Sequence, residues 1–308
     1  MAAKKILVTG SSGVIGTRLC EKLLEAGYSV VGADWKPNKW NGAINSLTVM
    51  GDLRDRGAVM RLPADCDTII HLAANASVYK LIEDPSLALD NLKTTFNMLE
   101  FARANKKKII FASSREVYGD SDEAAHREQD TCMDKCESPY AASKLGAEAL
   151  IQAYHRCYGL DFAILRFSNV YGMYDWESGR VVPKFIRQCR QGDDLTVFGK
   201  EKALDLVHID DAVKGIILCV EKFNGAKNNA YNIAQGRSTR LLALANKIKG
   251  LLKKNVKIII KKNRAGEVMN CAVDISKARR KLNYSPKIGI DEGLKKAIQW
   301  YRANRGSI

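Results

Sequence analysis

Two residues of the chain have types and a spacing that suit proton transfer. Tyr140 and Lys144 stand four positions apart, which places them one turn apart on one face of a helix. A nearby ammonium group lowers the pKa of a phenol toward neutral pH, so the pair predicts a tyrosine that serves as a general base. The alternative is an ordinary Tyr and Lys on a surface helix, which a bare Tyr-x-x-x-Lys pattern does not exclude.

Three segments around this pair favour an active site. Residues 111–119 read Phe-Ala-Ser-Ser-Arg-Glu-Val-Tyr-Gly at the end of a strand-like run, and residues 166–172 read Arg-Phe-Ser-Asn-Val-Tyr-Gly at the end of the next. Ser138 and Pro139 directly precede the helix. With these surroundings, an active site is the better interpretation of Tyr140 and Lys144.

A glycine-rich turn near the N-terminus predicts a nucleotide site. Residues 5–16 read Lys-Ile-Leu-Val-Thr-Gly-Ser-Ser-Gly-Val-Ile-Gly, which follows a strand and opens a helix. In such a turn Gly10 permits the tight bend, Gly13 lets the backbone approach a pyrophosphate, and Gly16 lets helix and strand pack closely. Because a strand-to-helix turn uses glycine anyway, the motif depends on its context.

Acidic residues after the next two strands support that site. Asp34 ends the second strand, eighteen residues beyond Gly16, where an acid accepts hydrogen bonds from a ribose 2′-hydroxyl and repels a 2′-phosphate. The pattern therefore predicts NAD rather than NADP, although Lys36 stands close by. Asp52 and Leu53 follow the third strand, where they either meet the adenine ring or form a turn.

Composition sets the class of protein to which these motifs belong. The chain has 308 residues, 46% of them apolar and 27% charged, which suits one large globular domain or two fused ones. No apolar run approaches the ~18 residues of a membrane span, and Ile6–Val8 is too short for a signal-peptide core. The eight cysteines are scattered, and only Cys132 and Cys136 form a close pair. These features predict reduced thiols, no metal, no membrane and a cytoplasmic location.

Positive charge is concentrated in the last third of the chain. The net charge is +15, and residues 241–308 hold 17 Lys and Arg against 4 Asp and Glu. Within residues 251–262 the cations are spread between apolar positions with no aromatic residue among them, so a solvated basic face is a better interpretation than a nucleic-acid surface. An anionic small substrate would also suit this charge.

The elements that must position these residues alternate along the first half. Apolar strands separated by amphipathic helices predict a parallel sheet covered on both faces. The predicted strands there are 5–9, 29–33, 47–50, 68–71, 108–112 and 162–166, and the predicted helices are 14–26, 54–61, 85–105 and 140–158. Beyond residue 169 the predicted strands are 195–198, 205–207 and 230–233, and the predicted helices are 183–191, 210–221, 239–252, 275–282 and 291–304. We expect an NAD-binding domain over 1–170 and a mainly substrate-binding lobe over 171–308, with the chain crossing back between them.

Taken in order along the chain, these motifs identify a resemblance. The sequence resembles the extended short-chain dehydrogenase/reductases, and among them the NAD-dependent nucleotide-sugar epimerases and dehydratases, UDP-hexose 4-epimerases in particular. The resemblance runs from Gly10 to about Tyr284 and includes His-Leu-Ala-Ala at 71–74, Asp-Asp at 210–211 and Arg-Ala-Gly-Glu at 264–267. It implies an α/β fold with a Rossmann doubly wound parallel sheet and a smaller mixed α/β C-terminal lobe.

The resemblance implies a role for each matching residue. Tyr140 would transfer the proton, Lys144 would hold the nicotinamide ribose and tune the Tyr, and Ser114 would bond the sugar 4-oxygen. Asn91 would support the Tyr–Lys pair. The implied cofactor is NAD, and its implied contacts are Gly10, Gly13, Val14, Ile15, Gly16, Asp34, Asp52, Leu53, Ala73, Ala74, Asn91, Tyr140 and Lys144.

A UDP-sugar is the implied substrate. Asn169 would contact the diphosphate and Phe198 the uracil, while Arg264 and Glu267 would grip phosphate and ribose. The implied substrate contacts are Ser114, Glu116, Asn169, Val181, Phe198, Arg264, Glu267 and Cys271. The resemblance also implies a homodimer through a four-helix bundle made by two helices of the first domain, and no nucleic-acid partner.

Two departures from the family pattern keep alternatives open. Leu204 stands where an Arg commonly contacts the diphosphate, and Lys200 or Lys202 could replace it. Glu116 matches a residue of sugar-nucleotide dehydratases and decarboxylases, so a 4,6-dehydratase or a UDP-glucuronate decarboxylase or 4-epimerase is the alternative reaction. We favour an ion pair of Glu116 with Arg115 or another neighbour, because dehydratases usually have an adjacent Asp. A non-catalytic NAD sensor is the other alternative, against which the intact Ser, Tyr and Lys argue.

Cys271 leads to an expectation about the size of the sugar pocket. In the family's UDP-hexose epimerases, the position seven residues after the phosphate-gripping Arg lies beside the sugar 2-substituent, and counting from Arg264 gives Cys271. A Tyr there goes with unmodified hexoses, and a small residue goes with N-acetyl sugars. The resemblance therefore implies that UDP-GlcNAc and UDP-GalNAc are accepted, unless Cys271 is simply a small core residue.

Overall fold

The computed structural model describes residues 4–120, 125–176, 178–263 and 270–304, with the backbone alone at 270 and 271. The elements of the first half are β1 (Lys5–Thr9), α1 (Val14–Glu25), β2 (Ser29–Asp34), α2 (Gly42–Ser46), β3 (Thr48–Met50), α3 (Arg56–Met60), β4 (Thr68–His71), α4 (Val78–Glu83), α5 (Ser86–Ala104), β5 (Lys108–Ser114), two 3-10 turns (Arg115–Tyr118 and Met133–Lys135), α6 (Pro139–Tyr158) and β6 (Phe162–Phe167). Those that follow are β7 (Asn169–Tyr171), α7 (Val181–Gln191), β8 (Leu195–Phe198), β9 (Ala203–His208), α8 (Ile209–Glu221), α9 (Phe223–Ala226), β10 (Asn229–Ile233), β11 (Ser238–Arg240), α10 (Leu241–Leu252), β12 (Ile258–Lys261), β13 (Asn270–Cys271), α11 (Ser276–Leu282) and α12 (Ile290–Ala303).

The central sheet has seven parallel strands in the order β10-β6-β5-β4-β1-β2-β3. Its middle strands are buried almost throughout, as the continuous apolar runs of the sequence predict. The strand order reverses between β1 and β4, so the loops after these strands diverge and leave a crevice at the carboxyl edge. The predicted Rossmann doubly wound sheet is confirmed.

Helices cover both faces of this sheet. On one face α1 packs against α8, and Leu19, Leu23 and Ile216 join one buried apolar cluster. On the other face α5 packs against α6, with Met98 and Ile151 in a second cluster. The two long helices α5 and α6 therefore form one layer against β5, and α6 contains Tyr140 and Lys144.

The remaining elements form a smaller lobe of mixed α/β structure. β9 lies between β11 and β13 and also pairs with β7, while β8 pairs with β12. Helices α7, α10 and α12 surround these strands in a third apolar cluster that includes Phe185, Leu244 and Leu294. β10 and α8, which the chain forms after β9, return to the central sheet and its helical layer. The predicted strand at 230–233 therefore belongs to the larger sheet.

Some short elements were not predicted. α2 and α4 have five and six residues, too few to display a helical period, and each begins at a polar cap. Asn41 accepts from the backbone of Ile44, and Ser77 accepts from the backbone of Lys80. The predicted helix at 239–252 begins later, at Leu241, because residues 238–240 pair with β9 as β11. Strands β7, β11, β12 and β13 and helix α9 were also missed, since four residues or fewer carry little pattern.

Neither a membrane span nor a metal cluster is found in the part of the chain that the structure describes. Its helices are too short or too polar to cross a bilayer. No three His, Cys, Asp or Glu side chains within the described ranges come together as ligands.

Candidate active site

The glycine-rich turn brings the end of β1 into contact with the start of α1. Gly10 has a φ of +71°, in the left-handed region that favours glycine, and its N–H donates to the Ala33 carbonyl at 2.8 Å. A Cβ on Gly16 would lie 2.0 Å from the Gly10 oxygen, so a side chain has no room there. Gly13 is the N-cap of α1, and Val14 and Ile15 are its first two residues. The first N–H groups of a helix have no partner within it, so this end of α1 suits an anion.

Asp34 ties the end of β2 to this turn. Its carboxylate accepts from the backbone N–H of Ser12 and of Lys36, both at 3.0 Å. Burial raises the pKa of Asp34, and these N–H groups and the Lys36 charge oppose that rise. The buried Asn38, which the sequence analysis missed, donates to Thr17 Oγ1 at 2.9 Å and thereby holds the loop after β2 against α1.

Asp52 is engaged by a neighbouring cation. Arg54 donates to Asp52 Oδ2 at 2.6 Å and to Asp90 of α5 at 2.6 Å, and this hydrogen bonding lowers the pKa of Asp52. Leu53 is buried, and its carbonyl accepts from Asn97 of α5 at 2.8 Å. The structure thus fixes this turn to α5, and the adenine contact of Asp52 and Leu53 stays a prediction.

The loop after β4 is fixed by buried polar groups. His71 Nδ1 bonds Thr9 Oγ1 at 2.7 Å, and Thr9 Oγ1 also accepts from the N–H of Ala73 at 3.2 Å. Burial lowers the pKa of His71 to about 3, so it is neutral at physiological pH. Ala73 and Ala74 are half-buried at the crevice, beside the loop after β1.

Asn91 connects this loop to both long helices. From α5 it accepts from the N–H of Asn75 at 2.7 Å and donates to Ser143 of α6 at 3.2 Å. Ser143 in turn donates to the carbonyl of Tyr140 at 2.8 Å. Asn91 therefore contacts the helix turn that contains the Tyr–Lys pair, and the supporting role implied by the resemblance stays a prediction.

Tyr140 and Lys144 lie on one face of α6, against the end of β5. Ser138 caps the helix by accepting from the Ala141 N–H, and Pro139 occupies its first position. Tyr140 is buried and hydrogen-bonded to Ser114. Lys144 Nζ donates to the Ala112 carbonyl at 2.8 Å and lies 5.8 Å from the Tyr140 ring centroid. The three predicted catalytic side chains are thus brought together.

The sequence predicted that Lys144 lowers the pKa of Tyr140 toward neutral. In the structure, the surrounding protein groups raise that pKa instead. Burial raises the pKa of Tyr140 to about 12, and only part of that rise is offset by the Ser114 hydrogen bond. Burial also lowers the pKa of Lys144 to about 8, against the charge of Glu148. The sequence pattern shows the ammonium near the phenol but not how far both are buried, and burial has the larger effect.

Glu116 forms the ion pair that the sequence analysis favoured. Its carboxylate lies 2.8 Å from Arg115 Nη2, and both side chains are buried. The Glu116 N–H donates to Ser114 Oγ at 3.2 Å, which starts the 3-10 turn after β5. Glu116 thus lies beside the Ser114 hydroxyl, with its charge paired to Arg115.

Residues predicted to contact the substrate lie on several elements. Asn169, at the start of β7, donates to the Asp205 carbonyl at 3.2 Å, and Val181 is the first residue of α7. Phe198 ends β8, with the Lys184 ammonium 5.8 Å from its ring centroid. Arg264 and Glu267 lie outside the described residues, as does the side chain of Cys271.

β9 contains a buried acid that the sequence analysis missed. Asp205 accepts from the backbone N–H groups of residues 235, 236 and 237 at 2.8 to 3.0 Å, and burial raises its pKa to about 6. Next to it, Leu204 is buried and pairs with Thr239 and with the backbone of Cys271. Leu204 is therefore part of the core of the smaller lobe.

Comparison with known proteins assigns the family. Residues 6–234 match the NAD dependent epimerase/dehydratase family. The chain belongs to this family. Within it, a UDP-glucuronate 4-epimerase of Thermodesulfobacterium geofontis is 31% identical, with 97% of this chain and 96% of that protein covered. Decarboxylases of nucleotide sugars are also among the relatives.

Solved structures of this epimerase/dehydratase family have the same fold. A UDP-glucose 4-epimerase of Thermotoga maritima, solved with UDP-glucose, is 30% identical with a TM-score of 0.89 over 98% of this chain and 99% of that one. A dTDP-glucose 4,6-dehydratase of Streptomyces venezuelae, solved with NAD, is 30% identical with a TM-score of 0.90 over 98% of each chain. The protein is thus an NAD-dependent enzyme of nucleotide-sugar modification.

The residues present fit NAD. A Cβ at Gly10 or Gly16 would meet backbone atoms at 3 Å or less, so the turn requires glycine at both positions, as a tight pyrophosphate-binding turn does. Asp34 offers a carboxylate at the end of β2, next to this turn. We propose that these residues hold the pyrophosphate and adenosine ribose, and that Lys144 holds the nicotinamide ribose.

Proposed function

We propose that the protein catalyses the 4-epimerisation of a UDP-hexose through a transient 4-keto sugar. The observation that carries this proposal is the buried group of Ser114, Tyr140 and Lys144 at the end of β5. The Ser114 hydroxyl and the Tyr140 phenol are hydrogen-bonded to each other. The Lys144 ammonium donates to the carbonyl of Ala112, in the same strand as Ser114. Such a group suits proton exchange with a sugar hydroxyl.

In this reaction Tyr140 Oη accepts the proton of the sugar 4-hydroxyl. Its hydrogen bond with Ser114 fixes the phenol, and Ser114 also bonds the 4-oxygen as it becomes a ketone. Lys144, fixed by the Ala112 carbonyl, stabilises negative charge on Tyr140. When bound, NAD⁺ would accept hydride from C4 and return it there, and its positive charge would lower the phenol pKa. Once the keto sugar has turned over, C4 would regain the hydride on its other face while Tyr140 gives the proton back to the 4-oxygen, so the epimer forms with no net change in the cofactor.

The ion pair of Glu116 supports an epimerase over a dehydratase or a decarboxylase. Those reactions would use Glu116 as a further acid or base at the sugar. To act there, its carboxylate would have to leave the Arg115 guanidinium 2.8 Å away, and an unpaired buried charge is costly. Because the relatives include all three activities, a 4,6-dehydratase or a uronate decarboxylase is the alternative.

A panel of UDP-sugars, with products identified by NMR, tests the proposal. UDP-glucose, UDP-galactose and their N-acetyl forms should each give the 4-epimer without added NAD being consumed. A 4-keto-6-deoxy product would contradict the proposal and indicate a 4,6-dehydratase. Release of CO₂ from UDP-glucuronate would contradict it and indicate a decarboxylase. Binding of NAD with no response to any UDP-sugar would indicate an NAD sensor.

Substitution of Cys271 tests the predicted width of the sugar pocket. We propose that this small residue lies beside the sugar 2-substituent, so that UDP-GlcNAc and UDP-GalNAc are turned over at least comparably to UDP-Glc and UDP-Gal. Cys271→Tyr should abolish the N-acetyl activity selectively, because overpacking a pocket commonly costs ~1–3 kcal/mol. The measurement is kcat/KM for both substrate pairs.

Cys271→Ser is the matched control for that substitution. It keeps a small side chain and should leave the ratio of the two activities unchanged. Equal loss of both activities in Cys271→Tyr would mean that the residue lies in the core. Absence of N-acetyl activity in the unmodified enzyme would mean that another residue narrows the pocket.

We also propose a homodimer in which α5 and α6 of each subunit form a four-helix bundle. Leu89 and Phe96 are seven positions apart on α5, hence on one face, and are 68% and 45% exposed. Two large apolar side chains on one open helix face suit burial against a second copy. We also propose a cytoplasmic location, because the eight cysteines are scattered along the sequence.

Mass measurement by analytical ultracentrifugation tests the dimer. The double variant Leu89→Asp, Phe96→Asp should sediment as a monomer, because four charges would be buried in the bundle. Leu24→Asp is the control, since Leu24 is an exposed apolar residue of α1, in the opposite helical layer. A native protein that is monomeric at micromolar concentration would contradict the proposal.

A further inference from the structure

A buried carboxylate lies next to the proposed catalytic group and has no role in the reaction described above. Glu148 is on α6, four positions after Lys144 and eight after Tyr140. The three side chains therefore follow one another at intervals of one turn on one face of the helix. Glu148 is 3% exposed, and a carboxylate so buried needs partners that hold it there.

Each of these three side chains contacts the last residues of β5. The phenol of Tyr140 bonds the hydroxyl of the strand's final residue, and Lys144 Nζ donates to the Ala112 carbonyl at 2.8 Å. Glu148 Oε1 accepts from Ser113 Oγ at 2.6 Å. Three successive turns of α6 thus hydrogen-bond to three consecutive residues of β5. The bond from the last of these turns is the one between Glu148 and Ser113.

Arg166 of β6 fixes the Glu148 carboxylate in place. Its Nε donates to Oε1 at 2.9 Å and its Nη2 to Oε2 at 2.6 Å, a two-bond geometry that allows one orientation of the carboxylate. Arg166 Nη1 also donates to Tyr118 Oη at 3.1 Å and to the Glu128 carbonyl at 2.7 Å, and Tyr118 donates to Asn232 of β10 at 2.6 Å. The carboxylate is therefore anchored to three strands and to the turn after β5.

Glu148 also sets the charge around Lys144. Burial disfavours the ammonium of Lys144, and the Glu148 charge favours it. Within the described ranges, the other titratable groups that face Lys144 are Tyr140 on α6 and His71 on β4, and His71 is neutral. From α5, the uncharged Asn91 bonds the residue next to Lys144. Among these groups Glu148 is the anion that favours the charged form of Lys144.

We propose that Glu148 is a positioning residue of the catalytic centre. Bound by Arg166 and Ser113, it holds α6 against the end of β5 and keeps Lys144 charged and in place beside Tyr140. The proposal rests on the proposed function only in taking Lys144 and Tyr140 as the groups that act on substrate. Glu148 itself touches neither substrate nor cofactor.

The variant Glu148→Gln tests this role. It keeps the shape of the side chain and removes its charge. We expect kcat to fall about 10- to 100-fold, as small displacements of catalytic groups commonly do, while KM changes little. The alkaline limb of the kcat profile should move to lower pH, because Lys144 without its anion loses its proton sooner. NAD affinity of the cofactor-free protein, measured by calorimetry, should also fall, since Lys144 would be displaced.

Glu100→Gln is a matched control on the neighbouring helix. Glu100 also accepts from an Arg, Arg103 at 2.8 Å, and from a hydroxyl of α6, Tyr154 Oη at 2.8 Å. Its substitution removes the same charge from the same kind of hydrogen-bonded group, several turns of α6 away from Lys144. The rate, the pH profile and the NAD affinity should stay as in the unmodified protein.

Two further variants separate positioning from loss of the fold. Glu148→Gln leaves Arg166 buried without a carboxylate, so thermal unfolding is followed in parallel. Ser113→Ala leaves the ion pair intact and removes the bond to β5, and it should lower kcat about tenfold with little change in melting temperature. The double variant Glu148→Gln, Arg166→Met has no unpaired charge and should fold, yet keep the low kcat and the shifted alkaline limb.

The comparison of folded Glu148 and Glu100 variants decides the role. The role is only structural if Glu148→Gln or the double variant behaves like Glu100→Gln. That outcome means the same rate, the same alkaline limb of the kcat profile and the same NAD affinity as in Glu100→Gln. Besides kcat, the rate at which bound NADH forms on addition of a UDP-sugar is measured, since it reports oxidation at C4 whatever product follows. An unmodified enzyme whose product is not the 4-epimer would contradict the proposed function alone, and the same comparison would still decide the role of Glu148.

Discussion

Tyr140→Phe should lower kcat by ~10²–10⁴, the usual effect of losing a general base. The variant keeps the ring that packs in the buried site and removes only the oxygen, which bonds Ser114 and which we propose takes the sugar proton. NAD and UDP-sugar should still bind, because neither the glycine turn nor the smaller lobe is touched. The measurement is the rate of epimer formation at saturating UDP-sugar, together with the Kd for NAD.

Tyr154→Phe is the control for that loss. Tyr154 is also a buried tyrosine of α6, and its hydroxyl donates to Glu100 at 2.8 Å, away from β5. Its substitution removes one hydrogen bond, worth ~1 kcal/mol of stability, and should leave kcat unchanged. A Tyr140→Phe enzyme within tenfold of the unmodified rate would assign proton transfer to another group.

The sequence predicted the central sheet well because its strands are continuously apolar. β1, β4 and β6 are buried on both faces, so their limits appear in the sequence as changes from apolar to polar residues. The glycine turn and the Tyr–Lys pair were predicted for a similar reason. Their function depends on residues close together in sequence, within one turn or one helical period.

The sequence could not show which distant groups meet in the interior. Glu148 reads as one more charged residue on a helix, and its partner Arg166 lies eighteen positions away on the next strand. The Asp205 carboxylate accepts hydrogen bonds from backbone N–H groups about thirty residues later in the chain. Because every residue type except proline has such an N–H group, the sequence does not indicate these partners. The strand order is likewise hidden in the sequence. β10 resembles any other short apolar strand, and only its pairing with β6 shows that it belongs to the central sheet.

The pKa of Tyr140 is a clear case of this limit. Spacing places an ammonium one turn away, and that alone argues for a lowered pKa. The structure adds that both groups are buried, and burial disfavours the charged form of each. The depth of burial depends on packing by α5, β5 and the turn after it, so it could not be inferred from the spacing of two residues.

The second large effect is expected at the glycine turn, where Gly16→Ala should weaken NAD binding at least tenfold. The added Cβ would lie 2.0 Å from the Gly10 carbonyl oxygen and 2.8 Å from Ser11 Cα, and both neighbours are backbone atoms that no rotamer change can move. α1 would have to shift away from the end of β1, which displaces the N–H groups at its start that we propose bind the pyrophosphate. A tenfold loss corresponds to about 1.4 kcal/mol.

Gly250→Ala is the matched control for this substitution. Gly250 is likewise in a helix, α10, but a Cβ there would meet no atom within 4 Å. Alanine should therefore raise the melting temperature slightly, because glycine in a helix interior costs ~0.8–1.0 kcal/mol relative to alanine. Gly16→Ala should lower the melting temperature and the NAD affinity together, both measured on the same preparation by thermal unfolding and calorimetry. If the two alanine variants bound NAD equally well, α1 would not need its close contact with the Gly10 carbonyl to hold the cofactor.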